Sequence, residues 1–115
     1  MGSPGIFILS SQGLDIKSSV RAATTTDITL SGTQTVDGVV LVAGNRVLVK
    51  NQTNASQNGI YVVSASTWTR AIDAEANGEL TAGSFTFVEE GTYNSDSGWV
   101  ISTNGEIADW ASSMS

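Results

Sequence analysis

The sequence predicts an all-β fold: a small β-sandwich or a partly open barrel of about eight short, mostly antiparallel strands. Short β-prone runs alternate with Gly- and Asn-containing turns at a spacing of roughly 8–12 residues, which is typical of sandwiches and barrels. Charged residues make up only 14% of the chain, whereas helical surfaces normally carry many Lys, Glu and Arg side chains. Both observations are clearest between residues 28 and 70.

The 115 residues fit one domain, and no Pro-rich or charged linker divides them. Within residues 1–12, the first three residues are typical of a cloning scar, and the apolar run at 6–9 predicts an edge strand or a docking segment. That run is too short for a secretory signal and lacks the basic flank of one. Residues 13–115 are predicted to form the single β domain.

The chain is acidic, with a formal net charge of −6. A partner with a row of phosphates requires clustered cations, and the bases here are scattered, so nucleic acid and anionic membrane surfaces are not expected partners. The chain has no cysteine, hence no disulfide framework and no thiolate metal site. Its longest apolar runs are too short to span a bilayer, so no membrane insertion is expected. The five basic residues are Lys17, Arg21, Arg46, Lys50 and Arg70.

The N-terminal part of the domain carries weak strand patterns before the first clear one. Residues 14–21 alternate mildly between apolar and polar, which indicates an extended segment, and residues 22–26 are predicted to be a connector. The first clear strand is predicted at residues 27–30, with a turn at Ser31 and Gly32.

A β-hairpin is predicted next. Asp37 and Gly38 separate the runs 33–36 and 39–42, and Asp-Gly is a favoured two-residue hairpin turn. A second turn is predicted at residues 43–45, where a Gly and an Asn stand together.

The later strands repeat this pattern. Three consecutive apolar residues within 46–50 predict a strand covered on both faces, and the wholly polar residues 51–59 predict a loop. The run at 84–89 alternates, with Phe85 and Phe87 on one face. Further strands are predicted at residues 60–65, 68–71, 84–89 and 98–102.

Two segments are less clearly β. Residues 72–83 could contain one helical turn at 73–76. Near the C-terminus, Ile107, Trp110 and Met114 have the i, i+3, i+7 spacing of a helix. The β context instead favours an extended segment around residues 109–111, which is the preferred prediction.

No catalytic constellation is expected. The chain has no histidine to act as the base of a nucleophilic triad, and it contains no Ser-x-x-Lys. Glu89 and Glu90 are adjacent, so on a strand they point to opposite faces and cannot act as a carboxylate pair. Asn94, Asp96 and Gly98 match a fragment of a calcium-loop spacing, but its first and last acids are missing. An ordinary turn is the better interpretation, and neither a metal nor another cofactor is expected.

Aromatic and amide side chains are the candidate ligand contacts. Tyr93 lies in a polar loop and is the best candidate for an exposed aromatic that stacks on a sugar ring. Tryptophans of a small β domain more often fill the core, and this alternative is favoured for Trp68 and Trp99. The predicted ligand-binding residues are Tyr93, Asn94, Asp96, Asn54 and Trp68.

Three of the bases, Arg46, Lys50 and Arg70, lie on or beside predicted strands amid few charges. Each is expected to pair with a carboxylate such as Asp37 or Asp73. They are therefore interpreted as structural tethers before ligand contacts.

A set of short sequences distributed along the chain supports a family resemblance. They are VRAAT at 20–24, ITLSG at 28–32, GNRVLVK at 44–50, NGIYV at 58–62, WTRA at 68–71, FVEEGT at 87–92 and GWV at 98–100. In this pattern, residues 16–111 resemble a module found in tail-fibre, tailspike and related tail proteins of tailed bacteriophages and prophages.

The resemblance implies a non-enzymatic virion structural module that contributes to host-surface recognition. The protein would be made in the bacterial cytoplasm and would function in the virion tail. Its partners would be other tail-fibre segments or copies of itself, and bacterial surface polysaccharide if the module binds sugar. The alternative is an autonomous carbohydrate-binding module. Fibre modules are often trimeric, yet few large apolar residues remain after one core is filled, so a weak or absent trimer is expected for the isolated domain.

Overall fold

Ten short strands form the regular structure of the residues that this computed structural model describes, which are 15–71, 84–101 and 110–114. The predicted docking segment in residues 1–12, the helical turn at 73–76 and Asp73 lie outside the described residues. The strands are β1 (Asp15–Ile16), β2 (Ala22–Ala23), β3 (Thr35–Val36), β4 (Val39–Val40), β5 (Arg46–Val49), β6 (Gly59–Val62), β7 (Thr69–Arg70), β8 (Ser84–Val88), β9 (Ser97–Ile101) and β10 (Trp110–Met114).

The strands form two open four-stranded sheets and a separate hairpin. One sheet has the order β1-β8-β9-β10, the other has the order β2-β5-β6-β7, and β3 pairs with β4. The pairs β1/β8 and β2/β5 are parallel, and the other pairs are antiparallel. The predicted all-β class with mostly antiparallel strands is therefore confirmed. The arrangement is compatible with a small sandwich or an open barrel.

One segment, residues 17–24, links the two sheets. The Val20 amide donates to the Phe87 carbonyl (2.9 Å), and the Val20 carbonyl accepts from the Glu89 amide (3.0 Å). Immediately afterwards, the Arg21 amide donates to the Arg46 carbonyl (2.8 Å). The segment thus runs alongside β8 and then alongside β5. The link places residues 89 and 90, which follow β8, close to Arg21.

The core has two clusters of buried side chains, and β5 contributes to both. Leu48 packs in one cluster, whereas Val47 and Val49 pack in the other, because successive strand residues point to opposite faces. All three residues are fully buried, which confirms the predicted strand covered on both faces. The first cluster contains Val20, Ala23, Leu48, Ile60, Ala71 and Val88. The second contains Ala22, Val36, Val39, Leu41, Val47, Val49, Tyr61, Val63 and Trp68.

The hairpin turn has the conformation that its sequence predicts. Asp37 and Gly38 have φ values of 50° and 80°, both positive, as a type I′ turn requires. The turn predicted at residues 43–45 is also present, with Gly44 at a φ of 95° and the Asn45 amide donating to the Val42 carbonyl.

The strand predicted at residues 27–30 is wrong. The side chain of Gln52 takes the place of a strand partner: its Oε1 accepts from the Ile28 amide and its Nε2 donates to the Ile28 carbonyl, both at 2.9 Å. The Asp27 carboxylate accepts from the Thr53 amide (2.8 Å). A side-chain bridge from the loop therefore satisfies the Ile28 backbone, and the Leu30 carbonyl accepts from the Trp68 amide (3.0 Å) without a strand being formed.

The other strand predictions are confirmed with changed bounds: β6 begins one residue earlier, β9 is shifted by one residue, and the rest are shorter. The segment predicted as a connector, residues 22–26, instead begins with β2. β8 alternates, but its fully buried residues are Thr86 and Val88, whereas Phe85 and Phe87 are half-buried. At the C-terminus the extended alternative holds, because β10 pairs antiparallel with β9. Trp110 and Met114, two of the three residues with the helical spacing, belong to this strand, and Ile107 lies outside the described residues.

Candidate functional site

The loop between β8 and β9, residues 89–96, packs on the turn of the β3–β4 hairpin. Asp37 makes the connection. Its backbone carbonyl accepts from the Thr92 amide (2.9 Å), and its carboxylate accepts from the amides of Tyr93 (3.0 and 3.1 Å) and Asn94 (2.9 Å). One turn residue thereby fixes three successive amides of the 89–96 loop.

Two glycines allow this close approach. Gly91 has a φ of 138°, and a Cβ there would collide with the Asp37 carboxylate. Gly38 has a φ of 80°, and a Cβ there would lie 2.6 Å from Thr92 Oγ1. The turn and the loop can therefore meet only because neither position carries a side chain.

The three candidate ligand residues in this loop have different roles. Tyr93 is 82% exposed, so its ring faces solvent. Asn94 is buried, and its Nδ2 donates to the carbonyls of Ala23 (3.3 Å) and Thr24 (3.4 Å). Asp96 is exposed, with a positive φ of 58°. Asn94 thus holds the loop in place, whereas Tyr93 and Asp96 are accessible to a ligand.

The other two candidates lie elsewhere in the fold. Asn54 precedes a short 3-10 helix, and its Oδ1 accepts from the Ser56 amide (3.1 Å) and hydroxyl (2.7 Å). Trp68 is buried in the second core cluster, and its Nε1 donates to the Gly32 carbonyl (2.9 Å). Its ring is covered by the core, which is the alternative that the sequence favoured for it.

A cleft of about 380 Å³ opens between the hairpin and the start of the 89–96 loop. Its volume is near the lower end of the range of small-molecule sites, about 300–1,000 Å³, and the cleft is broadly open to solvent. It combines two carboxylates, one guanidinium, the hairpin backbone and the exposed side chain of Val40. The cleft is lined by Arg21, Asp37, Gly38, Val39, Val40, Glu90, Gly91 and Thr92.

Arg21 is held in the cleft wall by three partners. Its Nε donates to Glu90 Oε2 (3.3 Å), and its Nη1 donates to the Val40 carbonyl (3.1 Å) and to Asn45 Oδ1 (2.9 Å). Asn45 Oδ1 also accepts from the Val42 amide (2.8 Å). The guanidinium is therefore positioned before any ligand arrives.

Sequence reasoning missed Arg21 and Glu90 as site residues. They are 69 positions apart in the chain, and only the sheet-linking segment at residues 17–24 brings them together. In the sequence, the only indication that these two residues matter was their position in the family motifs at residues 20–24 and 87–92.

Two further arginines bind backbone carbonyls. Arg46 donates to the carbonyls of Ser19 (3.0 Å) and Ser18 (2.8 Å), and Arg70 donates to those of Asn58 (3.0 Å) and Ser56 (2.8 Å). The predicted pairing with Asp73 lies outside the described residues. Carbonyl groups at strand ends and in the 51–58 loop need donors, and a guanidinium supplies several.

Lys50 and Tyr61 have shifted pKa values. Lys50 Nζ lies 4.3 Å from the centroid of the Trp99 ring, and burial lowers the Lys50 pKa although the charge of Asp37 opposes the shift. Burial raises the pKa of Tyr61, while the nearby Arg70 opposes that shift. Neither residue lines the cleft.

Two further observations bear on the kind of site. No group of three or more His, Cys, Asp or Glu side chains in the described ranges could hold a metal ion. Within the same ranges, no helix is long and apolar enough to cross a membrane. What the cleft offers is hydrogen bonding from fixed polar groups beside apolar side chains.

Comparisons with protein-family models, curated proteins and solved structures found no match to this chain.

Proposed function

We propose that this chain is a structural and adhesion module of a bacteriophage or prophage tail fibre or tail protein, and that it contributes to recognition of the bacterial surface. The observation that carries the proposal is the 89–96 loop, which Asp37 fixes on the hairpin while Tyr93 stays 82% exposed. Adhesion requires contact residues on loops that a rigid scaffold positions. An ordered loop with an exposed aromatic meets that requirement.

The proposal includes location and partners. The module acts in the virion tail after synthesis in the bacterial cytoplasm. Its protein partners are other fibre segments or copies of itself, and its ligand is a bacterial surface polysaccharide. The sequence motifs at residues 20–24, 44–50 and 87–92 support this context, because they resemble those of phage tail modules.

A second candidate is an autonomous carbohydrate-binding module. It is favoured by the position of Tyr93 directly after Thr92, which lines the cleft. The Tyr93 ring is exposed in the loop that also contributes Glu90, Gly91 and Thr92 to the cleft, and an exposed ring suits the apolar face of a sugar. The two candidates share the ligand and differ in whether the module binds it without the rest of a fibre.

An array of bacterial surface polysaccharides tests both candidates with the isolated chain. We expect binding to at least one polysaccharide, weakened roughly 2- to 10-fold by Tyr93→Ala, since aromatic contacts contribute about 0.5–1.5 kcal/mol. Tyr93→Phe keeps the ring and should retain most of the affinity.

Three outcomes would change the proposal. If the folded chain binds no polysaccharide, only the scaffold role survives. If Tyr93→Ala binds as well as the wild type, the 89–96 loop is not the contact surface. If the isolated chain shortens the polysaccharide, the non-enzymatic assignment is wrong.

A further inference from the structure

We infer that the cleft binds a neutral or amino-bearing sugar ring and discriminates against sugars that carry a carboxylate. This inference rests on the proposed adhesion function and specifies the ligand class of the same surface. It is carried by the charges and the hydrogen-bond acceptors of the cleft lining and by the exposed side chain of Val40.

The charge of the lining is negative. Asp37 and Glu90 contribute two carboxylates, against the single guanidinium of Arg21. The whole chain has a net charge of −6, so its long-range field has the same sign. An anionic sugar would meet like charge in the cleft and on approach, whereas a neutral sugar would not and an amino sugar would be attracted.

Arg21 does not offset this by acting as a free anion receptor. Its Nε is paired with Glu90, and its Nη1 is shared between the Val40 carbonyl and Asn45 Oδ1. A bidentate carboxylate complex needs two parallel N–H donors of the guanidinium. Three existing bonds leave this guanidinium suited to donate single bonds to hydroxyl or ring oxygens.

The carboxylates supply acceptors for sugar hydroxyls. Within the described part of the chain, Glu90 Oε2 accepts from Arg21, and no hydrogen bond reaches Glu90 Oε1. Asp37 Oδ1 accepts only from Tyr93, although a carboxylate oxygen has two acceptor sites. Adjacent ring hydroxyls, each a donor and an acceptor, complement this lining.

The side chain of Val40 explains why the ligand is a ring rather than a polar chain. Val40 lines the cleft and is 66% exposed, whereas the adjacent Val39 is buried in the second core cluster. The Val40 side chain can contact the C–H face of a sugar ring while the acceptors bind its hydroxyls.

The test is an NMR titration of the full chain with three matched sugars: the methyl glycosides of galactose, galactosamine and galacturonic acid. Shift changes of backbone amides map the binding site. With the galactose and galactosamine glycosides we expect changes at Gly38, Val40, Gly91 and Thr92. With the galacturonic acid glycoside at the same concentration we expect changes at least fivefold smaller.

A pair of adjacent carboxylates gives a matched control. Glu90→Gln removes one negative charge from the cleft. It should lower the affinity for the galactose glycoside several-fold and reduce the ratio of that affinity to the affinity for the galacturonic acid glycoside. Glu89→Gln removes the neighbouring carboxylate, which accepts from Ser19 Oγ and does not line the cleft. It should leave the affinities for the galactose and galacturonic acid glycosides unchanged. The amide spectra report whether each variant remains folded. The comparison of the three glycosides uses the wild-type chain, so it does not depend on the folding of a variant.

The inference is overturned if the acid binds at the cleft as tightly as its neutral partner, or if no sugar shifts the cleft amides. If no sugar shifts the cleft amides, the polysaccharide array decides between two conclusions. Polysaccharide binding that depends on Tyr93 would leave the adhesion function standing with its site outside the cleft. Absence of binding in both experiments would overturn the adhesion function as well and leave only the scaffold role.

Discussion

Asp37 connects two parts of the chain that are more than fifty positions apart. The Asp-Gly turn could be predicted from two residues, but the amides that its carboxylate accepts from belong to Tyr93 and Asn94. Nothing local in the sequence assigns those partners. The same limit applies to Asn94, whose side chain serves the backbone at residues 23 and 24 rather than a ligand.

Asp37→Asn should lower the free energy of unfolding by about 1–3 kcal/mol, because hydrogen bonds to a charged acceptor are the stronger ones. Asparagine tolerates the positive φ of the turn, so the change isolates the carboxylate. Urea unfolding measures the effect. Asp96→Asn is the control: Asp96 also has a positive φ, its carboxylate accepts no hydrogen bond from the described residues, and its change should stay within about 0.5 kcal/mol. Equal losses in the two variants would contradict the role of Asp37.

Tyr61 provides a prediction at alkaline pH. Burial raises its pKa above the ordinary 10.0, so the folded state holds the phenol proton more tightly than the unfolded state does. The stability from this difference is complete below pH 10 and is lost as pH rises through the folded pKa. Unfolding measured from pH 8 to 11 should therefore show a decline that is smaller in Tyr61→Phe. An identical decline in both proteins would refute the assignment.

Among the elements, β5 and the hairpin could be predicted because the residues that determine them lie within the elements themselves. Three consecutive apolar residues mark a strand covered on both faces, and Asp-Gly marks a type I′ turn. Residues 27–30 could not be predicted, since the apolar Ile28 and Leu30 pack against the second core cluster without forming a strand. The Ile28 backbone bonds to Gln52, a loop side chain about two dozen positions away, and the Leu30 carbonyl accepts from the Trp68 amide.

Gln52→Ala should therefore release the backbone near Ile28. We expect the Ile28 amide to exchange its hydrogen at least tenfold faster, because its acceptor is Gln52 Oε1. Thr53→Ala, at the next position and exposed, is the control and should leave this exchange rate unchanged. Protection of Ile28 that persists in Gln52→Ala would show that another group holds the segment.

At the scale of the whole molecule, the all-β class follows from composition and turn spacing, but the cleft does not. Arg21 and Glu90 become neighbours because residues 17–24 run first along β8 and then along β5. A parallel crossing of this kind leaves no periodic pattern in the sequence. Of the five predicted ligand residues, Tyr93 and Asp96 are exposed in the 89–96 loop, but none of the five lines the cleft.

The state of assembly remains a prediction at this scale. We expect a monomer or a weak trimer for the isolated chain, since many apolar side chains of the described residues, among them Leu48, Ile60 and Trp68, are buried in the two core clusters. Light scattering of the chain with and without residues 1–12 measures this. A stable trimer that loses mass on deletion would assign residues 1–12 to the interface, and a stable trimer that persists would place the interface on the β domain.

Binding of the fluorescently labelled chain to intact bacterial cells, measured by flow cytometry over a panel of strains, tests the adhesion proposal most directly. We expect saturable binding of the labelled chain to at least one strain. That binding should be lost after periodate oxidation of the surface sugars and reduced roughly 2- to 10-fold by Tyr93→Ala, in line with the contribution of one aromatic contact. The adhesion proposal would be contradicted by saturable binding that survives both periodate oxidation and Tyr93→Ala. It would also be contradicted if a folded chain bound to no strain.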